Sequence, residues 1–350
     1  MSVYWLLFLW PALAAVSGGP VPRRNSTVAL TAFALLLTII IGLRFEVGAD
    51  WESYLAILTD AEGISWFEAI SSVEPTYRLL NWIALETGTG IWLVNIGCAI
   101  PFVSGLFAFV SRLPNRWLAL TVAVPYMIIV LGMGYTRQAA ALGIVMWGLT
   151  ALMDGRIRRF VLLIVLAATF HKATVIMMPL AAFASARNPW WTAFWIALAS
   201  FLAYVLFLLE YQESIVQGYL GIKQQSEGGG VRVVMNATAA VLILSLHRRF
   251  GLTSTAQRLW NWIAVACLLF IPAILLSPSS SAVDRVALYF MPVQLFTFSH
   301  LPIVLRQWRL GRLGLLLVVG AYAIVLAIWI FFSPFSSYWI PYRMFSFPNL

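Results

Sequence analysis

Charge is what this sequence lacks. Only 10% of its 350 residues are Asp, Glu, Lys or Arg, against roughly 25% in soluble domains, which excludes an ordinary water-soluble globule. Cysteine is almost absent too. Cys98 and Cys267 each sit inside an apolar run, so a disulfide framework is excluded and each thiol reads as a small hydrophobe. The three histidines, His171, His247 and His300, are far apart, with no HExxH and no Cys/His cluster, so no zinc site is signalled. There is no P-loop, no GxGxxG after a strand and no GxSxG elbow, and no repeat of fixed period. The first run, MSVYWLLFLWPALAAVSGG, lacks the positive flank of a cleavable signal and is expected to be a membrane helix.

What is present is hydrophobicity. Apolar residues make up 62% of the chain, with a mean hydropathy of +0.89, and they recur end to end between short polar breaks. This predicts an all-α, polytopic integral membrane protein, residues 1–350 forming one unit. Roughly twelve transmembrane or re-entrant helices are expected, near 1–18, 28–43, 90–111, 117–134, 138–153, 160–170, 173–186, 190–209, 232–247, 259–277, 286–305 and 313–332. The runs 160–170 and 173–186 are short enough for two spans or a re-entrant pair.

Assigning the connections alternately to two sides separates the charges. One side collects 14 of the 22 basic residues, from Arg23 and Arg24 through Arg156, Arg158 and Arg159 to Arg312, with Asp154 as its one acid. The positive-inside rule makes that side cytoplasmic and places both termini outside. The net charge of +9 is therefore a cytoplasmic belt and no sign of nucleic-acid binding.

Two outer-side segments are long. In 210–231, IKQQSEGGGVR reads as a flexible loop. In 44–89, Gly48 gives a turn and Asp50 is placed to cap a helix whose Trp51, Tyr54, Leu55 and Leu58 form an apolar stripe expected on the membrane surface. A second short helix is expected at EPTYRLLNWIA, with Glu74 at its positive end, Pro75 in its first turn and Arg78 one turn beyond Glu74.

The outer side should hold few cations, yet Arg44, Arg137, Lys172, Arg285 and Arg343 gather there, mostly at span ends. Snorkelling accounts for any one of them. Convergence of five suggests an anionic ligand, because the planar guanidinium suits phosphate or diphosphate. Asp50, Glu74 or His171 would then take a proton from an attacking hydroxyl, or orient the group that carries it; residue type alone does not rank the three.

The segments LRFEVGADWESYL, EPTYRLLNWI, GYTRQAAALGI and LAATFHKATVIMMPL, and more weakly DRVALYF and IPYR, resemble in order and spacing the signatures of the EpsG family, Wzy-like polymerases of bacterial polysaccharide synthesis. The resemblance implies a polymerase in the inner membrane with its site facing outward. It would join oligosaccharide repeat units carried on undecaprenyl diphosphate in exopolysaccharide, capsule or O-antigen synthesis. No nucleotide sugar, cofactor or metal is expected. Membrane lipid, a flippase and a chain-length regulator of the same pathway would be its partners. Carried over residue by residue, Asp50, Glu74 and His171 are the catalytic candidates, and Arg44, Tyr54, Tyr77, Arg137, Arg285 and Arg343 the substrate-binding ones. A glycan ligase using the same carrier, or a transporter of lipid-linked glycan, are the alternative readings.

Overall fold

A computed structural model describes residues 1–17, 23–181, 228–277 and 280–345, with the single positions 194 and 198. The expected span at 190–209, most of the loop at 210–231, and the end of the span at 173–186 lie outside the described residues.

Every regular element among them is helical, and an isolated antiparallel bridge joins Arg44 to Met344. The helices are α1 (Ser2–Ser17), α2 (Arg23–Gly42), α3 (Trp51–Thr59), α4 (Trp66–Ile70), α5 (Pro75–Glu86), α6 (Ile91–Val110), α7 (Arg116–Gly134), α8 (Thr136–Met153), α9 (Ile157–Ala168), α10 (Gly229–Leu246), α11 (Ser254–Leu276), α12 (Ser280–Ala287), α13 (Pro292–Arg306) and α14 (Gly311–Phe332). Across Val124–Leu131, α7 widens into π-type turns beginning beside Pro125, whose missing N–H interrupts the α-helical ladder.

Five helices, α6, α7, α10, α11 and α14, are long and apolar enough to cross a membrane, or six if α12 and α13, bent by 44°, count as one broken span. The chain is therefore a helical membrane protein, while the expected count of twelve is not reached among the described residues. Length is one reason: α1 has 16 residues and α9 only 12, so α9 reaches about 18 Å at 1.5 Å per residue, short of a ~30 Å hydrocarbon core. Polarity is another, since α8 opens with Thr136, Arg137 and Gln138.

The core is built on α6 and α8. A Cβ at Gly105 would lie 1.8 Å from the carbonyl oxygen of Gly143, and one at Gly143 would lie 2.2 Å from that of Pro101. Only glycine lets the two backbones approach so closely, the small-residue packing of membrane helices. With α6 and α8 locked, α2 lies against α6 and α9 against α8. Both cysteines are buried and free.

Residues 333–345 return to the start of the 44–89 segment. Gly48 donates its N–H to Tyr338 O (2.9 Å), Phe45 donates to Arg343 O (3.0 Å) and Phe345 donates to Leu43 O (2.8 Å). Gly48 has φ +109°, and a Cβ there would meet Met133 O at 2.5 Å, so the turn needs glycine. The two most distant of the quoted signature segments are thereby packed together.

The expected surface stripe of α3 is corrected. Trp51, Tyr54 and Leu58 are buried, and α3 packs on α5 and α6, with the Tyr54 ring 6.2 Å from that of Tyr77. Periodicity gives an apolar face; protein rather than lipid covers this one.

Candidate active site

Glu74 is the residue just before α5, and Pro75 begins that helix at the position where a missing N–H costs least. The start of α5 is tied to the turn after α9: Thr76 N–H donates to Thr169 O (3.1 Å), and the Thr76 hydroxyl donates to that of Thr169 (2.7 Å). His171 lies two residues beyond Thr169. Glu74 and His171, 97 residues apart, are thus brought together, with Nδ1 of His171 2.8 Å from Glu74 Oε1.

The same oxygen accepts the backbone N–H of Lys172 at 3.1 Å, while Oε2 accepts Arg137 Nη1 at 2.6 Å. Arg137, at the start of α8, lies over the ring of Tyr77 at 5.5 Å, and the His171 ring stacks on Tyr289 at 6.4 Å. Tyr77 and Tyr289 are buried, and Tyr289 Oη has no hydrogen-bond partner among the described residues. The expected pairing of Glu74 with Arg78 is replaced: Arg78 Nη1 turns instead to Ile57 O.

Burial alone would raise the Glu74 carboxyl, but the His171 hydrogen bond and the Arg137 charge outweigh it and hold it at about 2. Such a group stays ionised and is a weak base; its chemistry is that of an anchor. Asp50 is the opposite case. It precedes α3 without capping it, and its half-buried carboxylate has no hydrogen bond among the described residues. Burial raises it, while the Arg285 and Arg137 charges oppose the rise. A carboxylate moved up toward working pH and left unpartnered has the properties of a general base.

The arginines divide. The Arg285 side chain is exposed and makes no ion pair among the described residues, although its backbone oxygen accepts Gln138 Nε2 at 2.6 Å. Arg343 is exposed and pairs with Glu46. Arg44 differs from the expected anion contact. It is 1% exposed and its guanidinium serves the fold, donating to Val47 O (3.2 Å), Ile41 O (2.6 Å) and Thr136 Oγ1 (2.7 Å). It pins the exit from α2 to the entry of α8, where Arg137 begins.

A second ionic pair was not expected from the sequence. Arg232 on α10 pairs with Asp284 on α12, Nε to Oδ1 at 2.8 Å and Nη2 to Oδ2, with both residues buried and Arg232 lying 5.9 Å from the Tyr126 ring. The signal was available: an Asp in a short polar turn between apolar runs requires a partner. Among the described residues no three His, Cys, Asp or Glu side chains come together as a metal site would require.

A bundle of apolar helices that gathers carboxylates, arginines and a histidine at one end of α8 defines a polytopic helical membrane protein with a polar cluster at that end. The model of the EpsG family matches residues 27–344, and the chain belongs to that family. Membership is consistent with a glycosyltransferase-like polysaccharide polymerase. No curated protein and no solved structure matches the chain.

Proposed function

We propose that this protein is a polysaccharide polymerase of the bacterial inner membrane that joins undecaprenyl-diphosphate-linked oligosaccharide units at the outer face. The observation that carries the reading is Asp50, a half-buried carboxylate without a hydrogen-bond partner among the described residues, within the field of Arg285 and Arg137. Family membership supports the reaction class. The excess of arginine in the opposite connections supports the outward orientation.

In the proposed step the acceptor sugar's hydroxyl oxygen bonds to the anomeric carbon of the donor and gives its proton to Asp50. The bond from that carbon to the diphosphate oxygen breaks, and the lipid diphosphate leaves with the electron pair. Arg285 and Arg137 stabilise the charge that develops on it. Glu74 keeps Arg137 aimed and holds His171 through Nδ1, so that the other ring nitrogen can meet the acceptor. Tyr54 and Tyr77 wall the site, Arg44 fixes its frame, and Arg343 belongs to its rim. The step balances without a metal or nucleotide sugar.

The test is Asp50→Asn in a deletion strain complemented with the gene, with membrane level checked beside polymer length on a gel. Single repeat units should accumulate at normal protein level. Full-length polymer would remove Asp50 from the chemistry.

A further inference from the structure

The short helix α12 carries Arg285 and is tied by side chains from neighbouring helices. Asp284 is held by Arg232 of α10, and both are buried. Gln138 of α8 donates to Arg285 O at 2.6 Å. Asn236 of α10 donates Nδ2 to Ala287 O at 3.0 Å, and its own oxygen accepts Gln294 Nε2 at 2.7 Å; Gln294 in turn accepts the Tyr322 hydroxyl at 2.6 Å. Polar side chains from α8, α10, α13 and α14 thus converge directly or in relay on one helix.

Such a network is costly to bury, and a buried ion pair contributes little net stability compared with apolar residues of the same size. Its strength is directional. Asp284 and Arg285 are neighbours on one turn, so fixing the first inward fixes the second outward, beside the α8 entry that carries Arg137. The geometry points to Arg232 and Asp284 as a positioning pair that sets Arg285 opposite Asp50, with Gln138 as a second tether to the same turn. This rests on the polymerase reading, in which Arg285 holds the leaving diphosphate.

Three variants in the complemented strain separate the possibilities, with membrane level, polymer length and the pH dependence of polymer formation in spheroplasts as readouts. Arg285→Ala should cut polymer formation about a hundredfold. The apolar double variant Arg232→Met with Asp284→Leu removes both members of the pair together and should accumulate normally, yet lose about tenfold or more through misplacement of Arg285. Exchanging the charges, Arg232→Asp with Asp284→Arg, should recover part of that loss.

A purely structural pair would not move the pH profile. Asp50 is faced by Arg285 of α12, Arg137 of α8, Tyr54 of α3, and Tyr135 before α8. With Arg285 displaced and the others in place, the acidic limit of activity should shift upward by about one pH unit. Gln138→Met, which changes no charge, should shift it in the same direction if the double variant fails to accumulate. Normal polymer and an unshifted limit in these variants, with Arg285→Ala inactive, would overturn the positioning role and leave the polymerase reading intact. Normal polymer from Arg285→Ala would overturn the role of Arg285 itself.

Discussion

At one end of α6 and α8, Arg112 and Asp154 pair in the open, their side chains 44% and 32% exposed; at the other end Arg137 meets Glu74, which is 12% exposed. The residue types are the same, arginine with a carboxylate, but the surroundings are not. The first pair has one bond and solvent around it. In the second the carboxylate holds three partners at once, an arginine, a histidine and a backbone N–H. Solvated pairs contribute little, and enclosed ones fix direction. The asymmetry between the two ends is what marks one of them as the candidate site.

Breaking pairs in order of enclosure sharpens that comparison. Asp284→Ala removes the Asp284 carboxylate from the buried, charged Arg232 and should cost about 3–5 kcal/mol, read as a large fall in membrane level and in the melting temperature in detergent. Glu74→Gln should come next. Because the Glu74 carboxyl lies at about 2 against an ordinary value of 4.5, its contribution is on the order of 3 kcal/mol at neutral pH. The sign is that of a lowered acid: the contribution is full above about 4.5 and fades as pH falls toward about 2. Melting temperatures of wild type and Glu74→Gln should therefore converge across that window, and a gap that stayed constant would break the assignment. Polymer should also be lost in Glu74→Gln, since Arg137 and His171 lose their common anchor.

At the small end, Arg112→Ala and Arg343→Ala remove partners from exposed pairs and should each change stability by about 0–1 kcal/mol, with polymer length unchanged in Arg112→Ala. Polymer loss in Arg112→Ala at normal protein level would mean that the open end also takes part in function.

Much of this site was legible in the sequence, and for physical reasons. Glu74, Pro75 and the helix after them follow from local rules that act over a few residues. That Arg137, Glu74 and His171 share one side followed from the charge asymmetry across the membrane. Which of them touch did not follow, because Arg78 and Arg137 are equally good partners for Glu74 until Thr169 ties the turn before His171 to α5. Arg44 shows the same limit: a guanidinium looks alike in sequence whether it faces a ligand or its own chain's carbonyls. The stripe on α3 was correctly apolar and wrongly placed on lipid, since amphipathicity does not name the surface that covers it. The Arg232–Asp284 pair was hidden because its members stand 52 residues apart on different helices.

The proposed reaction turns on Asp50, and not the more tightly held Glu74, taking the proton. Its most direct test is the rate of polymer formation against pH in spheroplasts carrying wild-type protein or Asp50→Asn. With Asp50 raised by burial, the wild-type rate should fall on the acid side at a pH above the ordinary aspartate value of 3.8, and the small residual rate of Asp50→Asn should lack that limb. An Asp50→Asn protein that keeps both the wild-type rate and its acid limb would contradict the account.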